Sequence, residues 1–138
     1  MLTSVDQGAR RALASLVFVA CLGIEPLAQG PVILVRHAER ADAGAGAPTM
    51  AADPSLSAAG HERAATLAEM LQDLGITDIF VTEYKRTRET AAPLAKALNL
   101  SPMTIAAKDT PGLVQRIRQS KGGVLVVGHS NTVPEIIK

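Results

Sequence analysis

At 138 residues the chain has the length for one domain with one core, not two. Its 14 basic residues stand against 13 acidic ones, and one Tyr with two Phe leaves almost no surface on which bases could stack, so nucleic acid is excluded as an expected partner. A single cysteine, Cys21, excludes an internal disulfide and a cysteine-built zinc site.

The first segment reads as a leader. Arg10 and Arg11 precede ALASLVFVA, residues 12–20, nine apolar or small residues without a charge. That run is too short for a membrane-spanning helix, which takes ~20 residues. Residues 1–28 are therefore expected to be a signal peptide cut after Ala28, or a lipoprotein leader in which FVAC marks Cys21 as the lipidated first residue. Either route exports the chain, as a periplasmic or secreted protein, with membrane attachment through the leader or the lipid. A buried N-terminal helix is the plain alternative. Residues 29–138 are expected to form the domain, and its oligomeric state is not legible.

Beyond the leader, short aliphatic runs alternate with amphipathic stretches, the pattern of βαβ units and a mostly parallel sheet with helices on both faces. The runs are 32–35, 79–81, a weak one near 103–106, and GVLVVG at 123–128. Their continuous rather than alternating hydrophobicity implies that both faces are covered. A fourteen-residue stretch from Ala41 to Pro54, small and without period, reads as a loop following the first strand. LSAAGHERAATLAEMLQDLG (56–75) predicts a helix capped by Ser57, with a stripe of Ala64, Leu67, Leu71 and Leu74 and a stop at Gly75. YKRTRETAAPLAKALNL predicts a second helix that Pro93 kinks or interrupts. DTPGLVQRIRQSKGG predicts a third, capped by Asp109 or Thr110, with an apolar face of Leu113, Val114 and Ile117 and a glycine stop. A last helix begins within SNTVPEIIK.

Sites in open α/β sheets form beyond the carboxyl ends of the strands. The first strand ends in Arg36, His37 and Glu39, the second in Thr82 and Glu83 with Arg86 just into the helix, and the fourth in Gly128, His129 and Ser130. The remaining histidine, His61, falls on the polar side of a helix and is expected to be solvated. KRTR at 85–88 loads three cations onto the positive end of a helix dipole, each unfavourable by ~0.3–1 kcal/mol unless an anion arrives there. Lys85 and Arg88 read as solvated, and Arg86 as functional. If Arg36, His37, Arg86 and His129 converge, the guanidiniums match phosphoryl oxygens while the neighbouring cations keep an imidazole neutral and nucleophilic. The turn at Gly128 to Ser130 adds backbone amides for an anion. Metal binding is disfavoured, since two arginines would repel a dication, and no cofactor is expected.

VRHAE, LSAAG, TEYKRTRETA and VVGHS, in that order, resemble the histidine phosphatase superfamily of phosphoglycerate mutase-like fold, over about Pro31 to the end. The resemblance implies a three-layer α/β/α sandwich and a metal-independent phosphoric monoester hydrolase acting on a small phosphorylated substrate. It also implies that His37 becomes phosphohistidine, and that Arg36, Arg86 and His129, with Ser130, hold the phosphate. Thr82 stands where the family usually carries Ser and keeps the hydroxyl. Asp109 is the nearest counterpart of the acid that protonates the leaving oxygen, with Glu83 and Glu39 as rivals, and Asp109 serves equally as a helix cap. The chain stops nine residues after His129, where related chains usually continue, which leaves a minimal sheet or a truncated product. The reading from another class is an exported phosphate-binding pseudoenzyme without turnover.

Overall fold

The structure is a computed structural model that describes residues 30–42 and 53–137. The expected leader with Cys21, and most of the 41–54 loop, lie outside the described residues. Four strands follow the aliphatic runs: β1 (Val32–Arg36), β2 (Ile76–Val81), β3 (Met103–Thr104) and β4 (Gly123–Gly128). They form one all-parallel sheet in the order β1-β4-β2-β3. β4 lies between β1 and β2 and is buried along its whole length, as its unbroken apolar sequence requires. β2 starts three residues earlier than its aliphatic run, and β3 is shorter than expected.

The helices are α1 (Ala58–Leu71), α2 (Lys85–Leu98), α3 (Thr110–Gln119) and α4 (Thr132–Ile137). Because side chains alternate across a strand, Leu125 and Val127 of β4 point to one face, where they pack with Ala68 and Leu71 of α1 and Ala91 and Leu94 of α2. Val124 and Val126 point to the other, where they meet Phe80, Leu113 and Ile117 of α3, and Ile136 of α4. This is the expected three-layer sandwich with helices on both faces.

Three local expectations are corrected. Leu74 is 45% exposed, because α1 ends at Leu71 and the stripe ends with it; Ala68 takes the buried place instead. Gly75 still supplies the left-handed turn, at φ +66°, that leads into β2. Pro93 does not interrupt α2, which runs through it to a left-handed Asn99; the lost amide is outweighed by burial of Ala91, Leu94 and Ala95 on either side. α3 stops at an extended Ser120, before the glycines are reached.

The base of the loop after β1 is pinned. Arg40 bridges Leu56 in antiparallel fashion, Ala41 N–H donates to Ser55 O (3.0 Å), and Ser57 N–H donates to Glu39 O (2.8 Å). Ala38, Leu56 and Ala64 form a small apolar cluster beneath it, and Gly60 lets α1 approach so closely that an added Cβ would meet the Glu39 carbonyl.

Candidate active site

Register builds the site. Arg36 pairs with Gly128 and Val81 with Val127, so β1, β4 and β2 end level, and the next residues of each leave from one edge. His37 N–H donates to Gly128 O at 3.0 Å. The rings of His37 and His129, 92 positions apart in sequence, then lie 5.3 Å between centroids at 64°. His37 Nδ1 is 2.8 Å from Ala38 O; a carbonyl only accepts, so Nδ1 carries the proton and the Nε2 lone pair is left for chemistry.

Arg86 is 1% exposed, the largest of the fully buried side chains among the described residues. Its Nη2 is 3.5 Å from His129 Nδ1, its guanidinium carbon sits 4.3 Å from the centre of the Tyr84 ring, and its Nη1 is 3.6 Å from Asp53 Oδ1. Tyr84 also meets His129 edge-on, at 5.2 Å and 89°. His129 Nε2 is 3.0 Å from Thr82 Oγ1, which is itself 3.0 Å from Thr87 Oγ1. Thr82, Thr87 and His129 are all buried.

Burial chiefly, then the charge of Arg86, pushes His129 down to about 4; His37 and Arg36 act in the same sense and Glu83 in the opposite one. His37 is lowered too, first by burial, against the bond to Ala38, with Arg86, Arg36 and Arg40 adding to the shift. Both rings are therefore neutral near pH 7.

The structure thus gathers three of the four expected groups into direct contact. Arg36 stands at the same edge but is exposed, reaching the rings through its charge. Ser130 is exposed in the turn between β4 and α4. Asp109 is the N-cap of α3: it is exposed, and its Oδ1 accepts the Gly112 N–H at 3.0 Å. Glu39 is paired with Arg63 at 2.7 Å. Glu83 follows Thr82 directly, accepts the Ala107 N–H through Oε2 at 2.9 Å, and is the carboxylate whose charge acts on His129. His61, Lys85 and Arg88 are exposed, as expected.

Three residues escaped the sequence reading: Tyr84, Thr87 and Asp53. Asp53 had a signal. The cation-loaded opening of α2 called for an anion, and both Asp53 oxygens lie 3.0 Å from the Lys85 N–H, capping a helix whose own N-cap, Tyr84, makes no side-chain bond. Among the described residues, no three His, Cys, Asp or Glu side chains gather where they could hold a metal ion. A cavity of about 540 Å³ at the opposite strand ends, lined by Thr77, Arg116 and Gly122 among others, holds none of the site groups.

Comparisons with known proteins agree with this architecture. The family described as the histidine phosphatase superfamily (branch 1) matches residues 32–109. No curated protein matches the chain. Among solved structures, the SixA protein of Agrobacterium tumefaciens, a proposed phosphohistidine phosphatase, is similar at 24% identity and a TM-score of 0.62, over 79% of this chain and 75% of that one. A mycobacterial glucosyl-3-phosphoglycerate phosphatase solved with VO3 gives 13% identity and a TM-score of 0.68, over 78% and 80%. The protein histidine phosphatase SixA complexed with tungstate gives 20% and 0.58, over 77% and 73%. With the family match spanning more than half of its length, and its strands carrying the paired histidines to one sheet edge, the chain belongs to the histidine phosphatase superfamily, branch 1.

Proposed function

We propose that the protein is a phosphomonoester hydrolase that works through phosphohistidine at His37. The carrying observation is the approach of the His37 and His129 rings to 5.3 Å, with Arg86 against the second of them. His37 Nε2, whose lone pair is kept free by the Nδ1 bond to Ala38, attacks phosphorus in line while the bond to the alcohol oxygen breaks. Arg86, His129 and Arg36, with Ser130 at the turn, surround the remaining oxygens, and donors aimed where charge builds up favour the transition state. Water then cleaves the phosphorus–nitrogen bond, releasing phosphate and restoring the imidazole. Relatives of the fold solved with tungstate and with VO3 support an oxoanion pocket of this kind.

The leaving oxygen needs a proton, and the carboxyl that gives it and takes one back from water is Glu83 in this reading. Glu83 is the carboxylate whose charge acts on His129, whereas Asp109, the sequence candidate, caps α3 and does not act on either ring. The site needs no metal. The substrate is a small phosphorylated compound met outside the cytoplasm, the leader directing export.

The purified protein is expected to hydrolyse an aryl phosphate with or without chelator, and His37→Ala to abolish turnover. Glu83→Gln is expected to cost about 10²–10⁴-fold on an alkyl phosphate, where the poor leaving group needs the acid, and far less on the aryl ester. Asp109→Asn is expected to leave both rates nearly intact; the opposite pattern returns the acid to Asp109. Oxoanion binding without turnover on either ester would favour the pseudoenzyme. The N-terminal mass of the exported protein tells cleavage after Ala28 from processing at Cys21.

A further inference from the structure

β1 ends at Arg36, so His37 leaves the sheet with a single ladder bond, from its N–H to Gly128 O at 3.0 Å. The peptide on its other side is held from a different layer of the molecule. The Ala38 N–H donates to Thr90 Oγ1 of α2 at 3.0 Å, across 52 positions of sequence, and Thr90 Oγ1 lies 2.6 Å from Arg86 O. A carbonyl only accepts, so the one hydroxyl proton of Thr90 goes to Arg86 O, and its lone pairs are left for Ala38. One oxygen atom thus joins the backbone just after His37 to the backbone of Arg86.

We infer that Thr90 is a positioning residue for His37: its hydroxyl fixes the peptide between His37 and Ala38, and with it the imidazole, relative to the arginine on α2. The inference rests on the phosphatase reading above, in which His37 is the nucleophile. With Gly128 O on the N–H of His37 and Thr90 on the N–H of Ala38, both peptide planes that flank the His37 Cα are tied down. The ring is then turned by the next carbonyl, Ala38 O, 2.8 Å from Nδ1. Two of these bonds fix the backbone and the third fixes the tautomer. Only the one from Thr90 comes from the helix that carries Arg86.

Water has little access to this bond. Ala38 and Thr90 are 5% and 3% exposed, and Ala38 packs with Leu56 and Ala64 beneath the loop base. A buried N–H deprived of its acceptor is costly, so without the hydroxyl the chain after β1 shifts to recover one, and His37 moves with it. A displacement of about 1 Å at a reacting group is enough to cost ~10²-fold in rate. Arg86 has holds of its own that do not pass through Thr90, on the Tyr84 ring, Asp53 and His129. Loss of the hydroxyl therefore falls on phosphoryl transfer and leaves the affinity of the clamp for phosphate in place.

The test compares kcat/KM on an aryl phosphate with the inhibition constant of inorganic phosphate. Thr90→Val, which keeps the shape and drops the hydroxyl, is expected to lower kcat/KM by about 10- to 100-fold, while the inhibition constant changes by less than about threefold. Thr90→Ser keeps the hydroxyl and is expected to retain most of the rate. An unchanged kcat/KM in Thr90→Val overturns the inference while leaving the phosphatase reading standing. So does an equal loss in Thr90→Ser, which would assign the effect to the methyl group, or a phosphate affinity that falls in step with the rate. An unmodified protein without turnover on the ester overturns both. Should Thr90→Val fail to fold, Thr90→Ala makes the same deletion with a smaller side chain and is set against Thr90→Ser with the same expectations.

Discussion

Asp53 resolves a conflict that the residues of α2 create among themselves. Lys85, Arg86 and Arg88 crowd the end of the helix where the backbone amides already present positive charge, and the first turn contains no acid. The neutralising group comes from 32 positions earlier in the chain, caps Lys85 N–H, and sits 3.6 Å from Arg86. Its contact with Arg86 is too long to be a strong ion pair; the cap is the larger contribution. Asp53→Ala is expected to lower stability by about 1 kcal/mol, within the usual range for a lost N-cap, read as a drop in the urea midpoint. Asp53→Asn keeps an accepting oxygen at the cap and is expected to lose less. Equal losses for the two would show that charge, and not the hydrogen bond, sets the effect. The nearby Tyr84 had no comparable signal, since an aromatic at the end of a helix reads as packing until its neighbours are known.

Among the elements, α1 shows how a tertiary approach overrides propensity. In an exposed helix, replacing Gly with Ala gains about 1 kcal/mol. Gly60 lies in the first turn of α1 and is buried against the Glu39 carbonyl. Gly60→Ala is therefore expected to lower the thermal midpoint, because the new methyl must push either α1 or the loop base at residues 39–41 out of place; a rise would mean that the loop base yields freely. Pro93 makes the same point from the other side. Its missing amide was legible as a break, yet α2 packs against α1 and the sheet on both sides of it, and that burial keeps the helix in one piece. Leu74 was legible as part of the apolar stripe but lies beyond the helix end, where the turn at Gly75 carries it into solvent.

At the scale of the molecule, stability and site chemistry are coupled through the two strand-end histidines. Both have folded-state pKa values below the ordinary 6.5, His129 at about 4. Between pH 6.5 and about 4 the unfolded chain binds the proton that the folded ring refuses, so stability is expected to fall as pH drops through that window and to level off below it. The contribution is a few kcal/mol at most. Urea midpoints at pH 7.5, 5.5 and 4.5 test this, and His129→Asn is expected to flatten the dependence; an unchanged slope in that variant would assign the effect to the carboxylates.

The alternation of aliphatic runs and amphipathic stretches, the caps at Ser57 and Asp109, and the placing of Arg36, His37, Arg86 and His129 at strand and helix ends were all readable in one dimension. They depend on local spacing and residue type, which a linear chain displays. What only the tertiary structure decided is that β4 lies between β1 and β2. That order sets the two imidazoles side by side, ties Thr82 and Thr87 to one of them, and brings Asp53 to the end of α2. Such contacts join residues tens of positions apart, and their existence depends on how the whole core closes, a property that no short stretch of sequence carries.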